Sequence, residues 1–295
     1  MDHKNIIQLA TRESIEACRD IKSPDEWARF GLFIAHKCLR EIRIAIKKGK
    51  RIDPQRKSDG SPATQLENDI EEMAKDKLFQ FSSEVAFMGE ELGSSGGGAK
   101  ALFVIDPIDG TRSFLAGFES YSITIGAMIM RKPLFSLVAM PSSGLVIYRV
   151  GDGESKSFAQ PFGNSTPVVN TLPQFYFPNN TVLVNVHPSR DALPLIQNLY
   201  ALWELGKVSL VRSVSGSPSY LISQAAQGSN IYINNWSSGE TLPFDLIPAF
   251  HILRGSGGVV LDFNGDEIDY KNHSSGFVAG LDKKVMVELI KALKG

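Results

Sequence analysis

The sequence predicts a layered fold of helices and sheets in two halves, an α+β half followed by an α/β half, and three observations lead there. A long helical period opens the chain after Ser23, the last three of four apolar runs between 102 and 149 are separated by the short pieces RKP and PSSG, and from 181 onward strand-like and helix-like segments alternate. Apolar runs joined by two- to five-residue turns suit antiparallel neighbours, whereas strand–helix alternation suits a sheet covered on both faces.

Ser23, Pro24 and Glu26 form a helix start, with Ser as N-cap, Pro at the first helical position and Glu closing a capping box. Trp27, Phe30, Ile34, Cys38 and Ile42 follow at helical spacing, and Lys47, Lys48 and Gly49 suit the C-terminal end. A second helix is predicted from about Gln65 to Phe81, with Leu66, Ile70, Met73 and Leu78 inward. The strands LFVI (102–105), YSITIGAMIM (121–130), LFSLVAM (134–140) and LVIYR (145–149) make an antiparallel sheet. The second half reads TVLVNV (181–186), a helix over 191–204, VSLVR (208–212), a helix near 218–227 and IYIN (231–234). It continues with a helix near 245–254, GVVLDF (258–263) and a final helix over 282–293. Gly151 to Pro178, rich in Gly, Pro, Ser and Asn, is the expected boundary, dividing the chain into 1–160 and 161–295. SSGGG (94–98) reads as a mobile surface loop.

Composition excludes several classes. With 295 residues, 43% of them hydrophobic, the chain can bury a sizeable core without disulfides. The balance of 31 Lys and Arg against 32 Asp and Glu supplies no global field to draw it to nucleic acid or an anionic membrane. The run Lys47, Lys48, Lys50, Arg51 reads as a solvated helix end. Cys18 and Cys38 match neither zinc nor redox spacing, and the opening residues hold no apolar stretch of signal-peptide length. A cytoplasmic setting is the expectation, so the sequons at Asn164, Asn179, Asn235 and Asn272 carry no weight.

Asp106-Pro107-Ile108-Asp109-Gly110-Thr111 follows the strand LFVI directly. Two acids three residues apart at a strand end can aim both carboxylates and an intervening carbonyl at one point, as a hard cation requires. Gly110 and Thr111, at the turn into a short helix, would offer N–H groups to a phosphate. Glu90 and Glu91 close the apolar stretch VAFM, and Asp245 opens a helix after Pro243-Phe244. Acids at the edges of apolar runs need cationic partners. Only Arg112 is adjacent in sequence, which leaves a bound metal as the economical partner.

These motifs resemble the inositol monophosphatase family of magnesium-dependent, lithium-sensitive phosphatases. They run in order as KSDGSPAT (57–64), GEE (89–91), DPIDGT (106–111), RSVSGSPS (212–219), FD (244–245) and SGGVVLDFNG (256–265). The resemblance implies an αβαβα sandwich and two or three Mg2+ per site. Glu90, Asp106 and the Ile108 carbonyl would hold the first metal, and Asp106, Asp109 and Asp245 the second. Two metals can clamp the attacking and leaving oxygens of an in-line displacement. Thr111, with an acid from the segment after KSDGSPAT, would orient the attacking water, and Gly110, Thr111, Arg112 and Ser217 would contact substrate. A small phosphorylated metabolite, a homodimer, no nucleic-acid polymer and no membrane complete the expectation. The first substrate is an inositol or related polyol or sugar phosphate. The alternatives are a 3′(2′),5′-bisphosphonucleotide, histidinol phosphate, or a non-catalytic regulator on the same scaffold.

The family places Asp where this chain has Glu67, and its usual Trp before the last acid is Phe244. One extra methylene moves a carboxylate by over ~1 Å, which matters for positioning a nucleophile. Glu67 is the acid expected to work with Thr111, and Asp69 is its rival. Arg112 could meet a second anionic group of the substrate or pair with a neighbouring acid. Asn234, Asn235, Trp236 and Ser237 to Thr241 are expected over the leaving group. The GxSxG match at Gly93 precedes more Gly, unlike a nucleophile elbow. Asp262 to Asp266 reads as a turn, since Glu267 occupies the Gly position of a calcium loop. The five His show no metal spacing, and His36 and His251 are expected to bond locally within helices.

Overall fold

The computed structural model describes residues 22–47, 54–57, 62–130, 132–159, 168–171, 181–185, 192–213, 217–228, 230–235, 243–268 and 276–294. Ser23 starts α1 (Pro24–Lys47) as predicted: Glu26 Oε2 accepts from the Ser23 N–H at 2.8 Å, and the Glu26 N–H donates to Ser23 Oγ at 3.3 Å. A short hairpin, β1 (Gln55–Arg56) and β2 (Pro62–Ala63), leads into α2 (Gln65–Phe81). The first sheet is built from β3 (Val85–Gly89), β4 (Gly93–Ser95), β5 (Ala101–Asp109), β6 (Ser122–Ile129), β7 (Lys132–Met140), β8 (Leu145–Val150), β9 (Lys156–Ala159) and β10 (Val168–Thr171). Between β5 and β6 lies the one-turn helix α3 (Thr111–Leu115).

The sheet order is β10-β9-β8-β7-β6-β5-β3-β4. The antiparallel expectation holds except at β3 and β5, which run parallel. Ser94 and Ser95, expected in the loop over 94–98, instead join Gly93 in the edge strand β4 against β3. Sheet membership extends through β10 beyond residue 160.

The second half contains β11 (Thr181–Asn185), α4 (Ala192–Glu204), β12 (Leu210–Ser213), α5 (Pro218–Ala225), β13 (Asn230–Asn234), α6 (Pro243–Gly255), β14 (Val259–Asp262), β15 (Phe277–Gly280) and α7 (Lys283–Lys294). Its sheet order is β12-β11-β13-β15-β14, with β15 antiparallel to both neighbours. The sequence reading missed β15, a run of four apolar or small residues with no alternation of polarity.

Strand periodicity divides the core into layers, because successive side chains point to opposite faces. Phe135, Leu137 and Ala139 pack with Trp27, Ile34, Ile70 and Leu78 of α1 and α2. Val138 and Met140, on the reverse face, pack with Leu221 and Ile222 of α5, Phe250 and Leu253 of α6, and Tyr232 and Phe277 of the second sheet. Ile231, Ile233 and Val278 face outward to Leu199 of α4 and Leu289 of α7. The order is helices, sheet, helices, sheet, helices, the predicted αβαβα sandwich, and it brings the C-terminal end of β5 to the seam with α5.

His251 of α6 bonds across elements rather than within its helix. Its Nε2 lies 2.9 Å from the Gly151 carbonyl, which can only accept, so Nε2 carries the proton and Nδ1 accepts from Ser136 Oγ at 2.8 Å. Burial first, then the Arg149 charge, pushes its pKa down to about 4. The unfolded chain, near the ordinary 6.5, therefore binds more protons between these values, and stability falls as pH drops through that window. His251 should cost ~2 kcal/mol by about pH 5. Urea unfolding at about pH 7 and pH 5 checks this: His251→Gln should lose less stability than the parent over the interval, and equal losses would refute it.

Candidate active site

A β-bulge builds the first part of the site. Asp106 pairs with Thr124 and Asp109 with Ser122, so three steps along β5 match two along β6. Without the extra residue, positions three apart would point to opposite faces. Pro107, with no N–H to contribute to a ladder, suits the irregularity. The Ile108 N–H turns back onto Asp106 Oδ1 at 2.8 Å. Gly110 then takes φ 95°, and a Cβ there would lie 3.0 Å from the Ser217 N atom, so glycine allows both the turn and the close approach. Thr111 begins α3 immediately afterwards, with Arg112 exposed beside it.

The N-terminus of α2 supplies the second part. Thr64 caps the helix, and Glu67 closes a capping box by accepting from the Thr64 N–H through Oε2 at 2.5 Å. Its other oxygen, Oε1, accepts from Thr111 Oγ1 at 2.6 Å, while that hydroxyl oxygen also lies 3.2 Å from the Ile108 carbonyl. One buried carboxylate thus caps a helix and fixes a hydroxyl 44 residues away. The rival Asp69 is exposed, and its Oδ1 accepts from Gln65 Nε2 of its own helix at 2.8 Å. Of the two acids, Glu67 is the one that reaches Thr111.

Glu90 stands on the turn after β3, and here the charge expectation needs correction. Lys57, 33 residues away in sequence, brings its Nζ to 2.5 Å from both Glu90 Oε1 and Glu91 Oε1. Burial alone would lower the Lys57 pKa, but Glu90 and then Glu91 hold it above the ordinary lysine value. The acids therefore do have a lysine partner, concealed by sequence distance. Beneath the same turn, Glu71 accepts from the backbone N–H groups of Glu91 and Leu92.

The α5 N-terminus closes the site across the seam. Asp109 Oδ2 accepts from Ser217 Oγ at 2.5 Å and from the Ser219 N–H at 3.1 Å. Ser217 also lies 2.7 Å from Ser122 Oγ and accepts from the Tyr220 N–H as N-cap of α5. Ser217 was expected to meet substrate. Its side chain is instead fully buried and committed to Asp109 and the cap, leaving it a supporting role. Asn234, expected over the leaving group, is buried at the end of β13 beside Tyr232. Trp236 and the stretch 237–241 lie outside the described residues.

Electrostatics follow from crowding. Burial first, then the Glu91 and Glu90 charges, pushes Glu67 up to about 7 against the pull of its Thr111 and Thr64 bonds. Burial likewise pushes Glu71 up to about 7 and Asp109 up to about 6, with Glu90 adding to both. Asp106 is buried as well. This donor set of carboxylates and a carbonyl is all oxygen and fits a hard cation in kind. Among the described residues no three acids are already gathered at gripping distance. Asp245 is the third residue of α6, and its side chain lies outside the described residues.

A sequence profile described as the inositol monophosphatase family matches residues 24–294, and the chain belongs to that family. Inositol monophosphatase 2 of Mus musculus is 24% identical over 97% of this chain and 96% of its own length. The 3′,5′-bisphosphate nucleotidase 2 of Arabidopsis thaliana is 24% identical over 77% of this chain and 72% of its own. Among solved structures, the Thermotoga maritima IMPase TM1415 superposes with a TM-score of 0.70 at 18% identity, covering 91% of this chain and 97% of that one. At that identity the likeness establishes the fold. Among the described residues no helix is long and apolar enough to cross a membrane.

Proposed function

We propose that the chain hydrolyses a small phosphate monoester with magnesium as cofactor, an inositol or related polyol or sugar phosphate being the first candidate substrate. The observation that carries this reading is the Thr111 hydroxyl, held at 2.6 Å by buried Glu67 and next to the Ile108 carbonyl. With its proton committed to Glu67, Thr111 Oγ1 can accept a hydrogen bond from a water and so orient that water toward phosphorus. Glu90, Asp106, the Ile108 carbonyl, Asp109 and Asp245 would hold two or three Mg2+. When bound, these ions supply charge stabilisation and lower the pKa of the attacking water. Glu67 Oε1 can take the proton that water releases through Thr111. The new bond joins water oxygen to phosphorus as the phosphorus–alcohol bond breaks, and the two water protons end on phosphate and alcohol.

The buried hydroxyl set against Glu67 favours this reading over a non-catalytic regulator on the same scaffold. The bisphosphate nucleotidase among the relatives supports a bisphosphonucleotide as the alternative substrate, with exposed Arg112 available to a second phosphate. Histidinol phosphate is the remaining candidate. A panel of these esters, assayed for released phosphate with magnesium and with chelator, tests the reading. Magnesium-dependent release from at least one is expected, and release unaffected by chelation would sink it. We also propose a homodimer in a cytoplasmic setting; family membership and the exposed Leu193, Tyr200 and Trp203 of α4 support the dimer, and sedimentation would test it.

A further inference from the structure

Helix α2 presents two fully buried acids one turn apart, Glu67 and Glu71, and only the first has a part in the proposed chemistry. Glu71 Oε1 accepts from the Glu91 N–H at 3.0 Å and Oε2 from the Leu92 N–H at 2.8 Å. These are consecutive N–H groups of the turn that carries Glu90. On the turn's other side, a Cβ at Gly89 would lie 2.1 Å from Glu71 Oε2, so glycine is what admits the carboxylate. Burying an acid costs desolvation energy that an apolar residue in the same space would avoid. Such a cost is understandable where the position of the gripped backbone matters.

We infer that Glu71 is the positioning residue for Glu90, fixing the turn from Gly89 to Leu92 so that the Glu90 carboxylate is held ready for a divalent cation. This rests on the reading of Glu90 as a metal ligand. Glu71 need never touch metal or substrate. It acts through two backbone hydrogen bonds, and both require an acceptor. Glu71→Gln keeps the size but turns one acceptor into an NH2 donor facing an N–H. Glu71→Asp keeps the charge but withdraws both oxygens by about one methylene. Gly89→Ala leaves the acid intact and displaces it sterically.

The experiment is calorimetric titration of the metal-free full-length protein with Mg2+, with melting curves alongside. The parent should bind, and Glu71→Gln should bind at least tenfold more weakly while its melting temperature stays within a few degrees. Glu71→Asp should be weakened too, because placement rather than charge is at stake, and Gly89→Ala should reproduce the loss. Parent-like affinity in Glu71→Gln or in Glu71→Asp overturns the inference. If Glu71→Gln does not fold, Glu71→Asp and Gly89→Ala decide by the same criterion. A parent that binds no Mg2+ overturns the metal reading of the whole site, whereas a parent that binds and a Glu71→Gln that binds equally well overturns only the role given to Glu71.

Discussion

Asp109→Asn is expected to lower turnover on the order of 10³-fold or more while leaving the metal-free protein at least as stable as the parent, since metal charge stabilisation is worth several kcal/mol. The local geometry separates the two effects. Ser217 Oγ and the Ser219 N–H both donate to Asp109 Oδ2, so the amide oxygen of Asn can take that place and keep both bonds. The amide NH2 then occupies the position of the other oxygen, where a cation would need a lone pair. Stability follows from the raised pKa. Burial, reinforced by Glu90 and opposed by Ser217 and Ser219, puts Asp109 at about 6 when folded against 3.8 ordinarily. A raised pKa means that the stability of the protonated form is lost as pH rises through about 6, and Asn escapes that loss. In chelator the melting temperature of the variant should therefore draw ahead of the parent between about pH 4 and pH 6, and stay ahead above. Phosphate release at saturating magnesium and paired melting curves check both halves. Turnover near the parent rate would remove Asp109 from the site.

The strand-end acids were legible because DPIDGT follows an apolar run and its Gly and Pro punctuate the turn. The bulge that places Asp106 and Asp109 on one face was not, since it depends on pairing with Ser122 and Thr124 of β6. Long-range partners were hidden for the same reason. Ser217 meets Asp109 across 108 positions and Lys57 meets Glu90 across 33, and only the sheet topology makes them neighbours. Glu71 was hidden differently: it lies in Glu67-Asn68-Asp69-Ile70-Glu71-Glu72, where acids crowd one helical turn and composition does not mark which of them is buried. Its four-residue spacing from Glu67 was the signal, because residues one turn apart share a face. The Thr64-x-x-Glu67 spacing was likewise available as a capping box, and it explains how Glu serves here. A residue at the third helical position that must cap its own N-terminus reaches back along the helix, and the second oxygen is left facing Thr111.

That double duty makes Glu67 the sharpest probe of the proposed chemistry. Glu67→Gln should lower turnover on the order of 10²-fold, within the range set by loss of a general base. The Thr64 N–H, 2.5 Å from Oε2, still needs an acceptor, so the amide oxygen goes to the cap and the NH2 faces Thr111. The helix start survives, and the hydroxyl loses its Glu67 acceptor and is left with the longer contact to the Ile108 carbonyl. Thr111→Ala should cost a similar factor, and the double variant should be little worse than the poorer single one, because two groups sharing one role are non-additive. Glu67→Asp restores the family's usual residue, yet here it should also be slower. Both oxygens of Glu67 are engaged, at 2.5 and 2.6 Å, and a side chain shorter by one methylene cannot keep both bonds. Turnover under saturating magnesium measures the set, with melting curves to confirm folding. A faster Glu67→Asp would mean that the backbone accommodates the shorter acid and that the cap yields to the site. If Glu67→Gln and Glu67→Ala both matched the parent from about pH 6 to pH 9, a range in which a general base must show itself, Glu67 would be only a helix cap and the acid that works with Thr111 would have to be sought elsewhere.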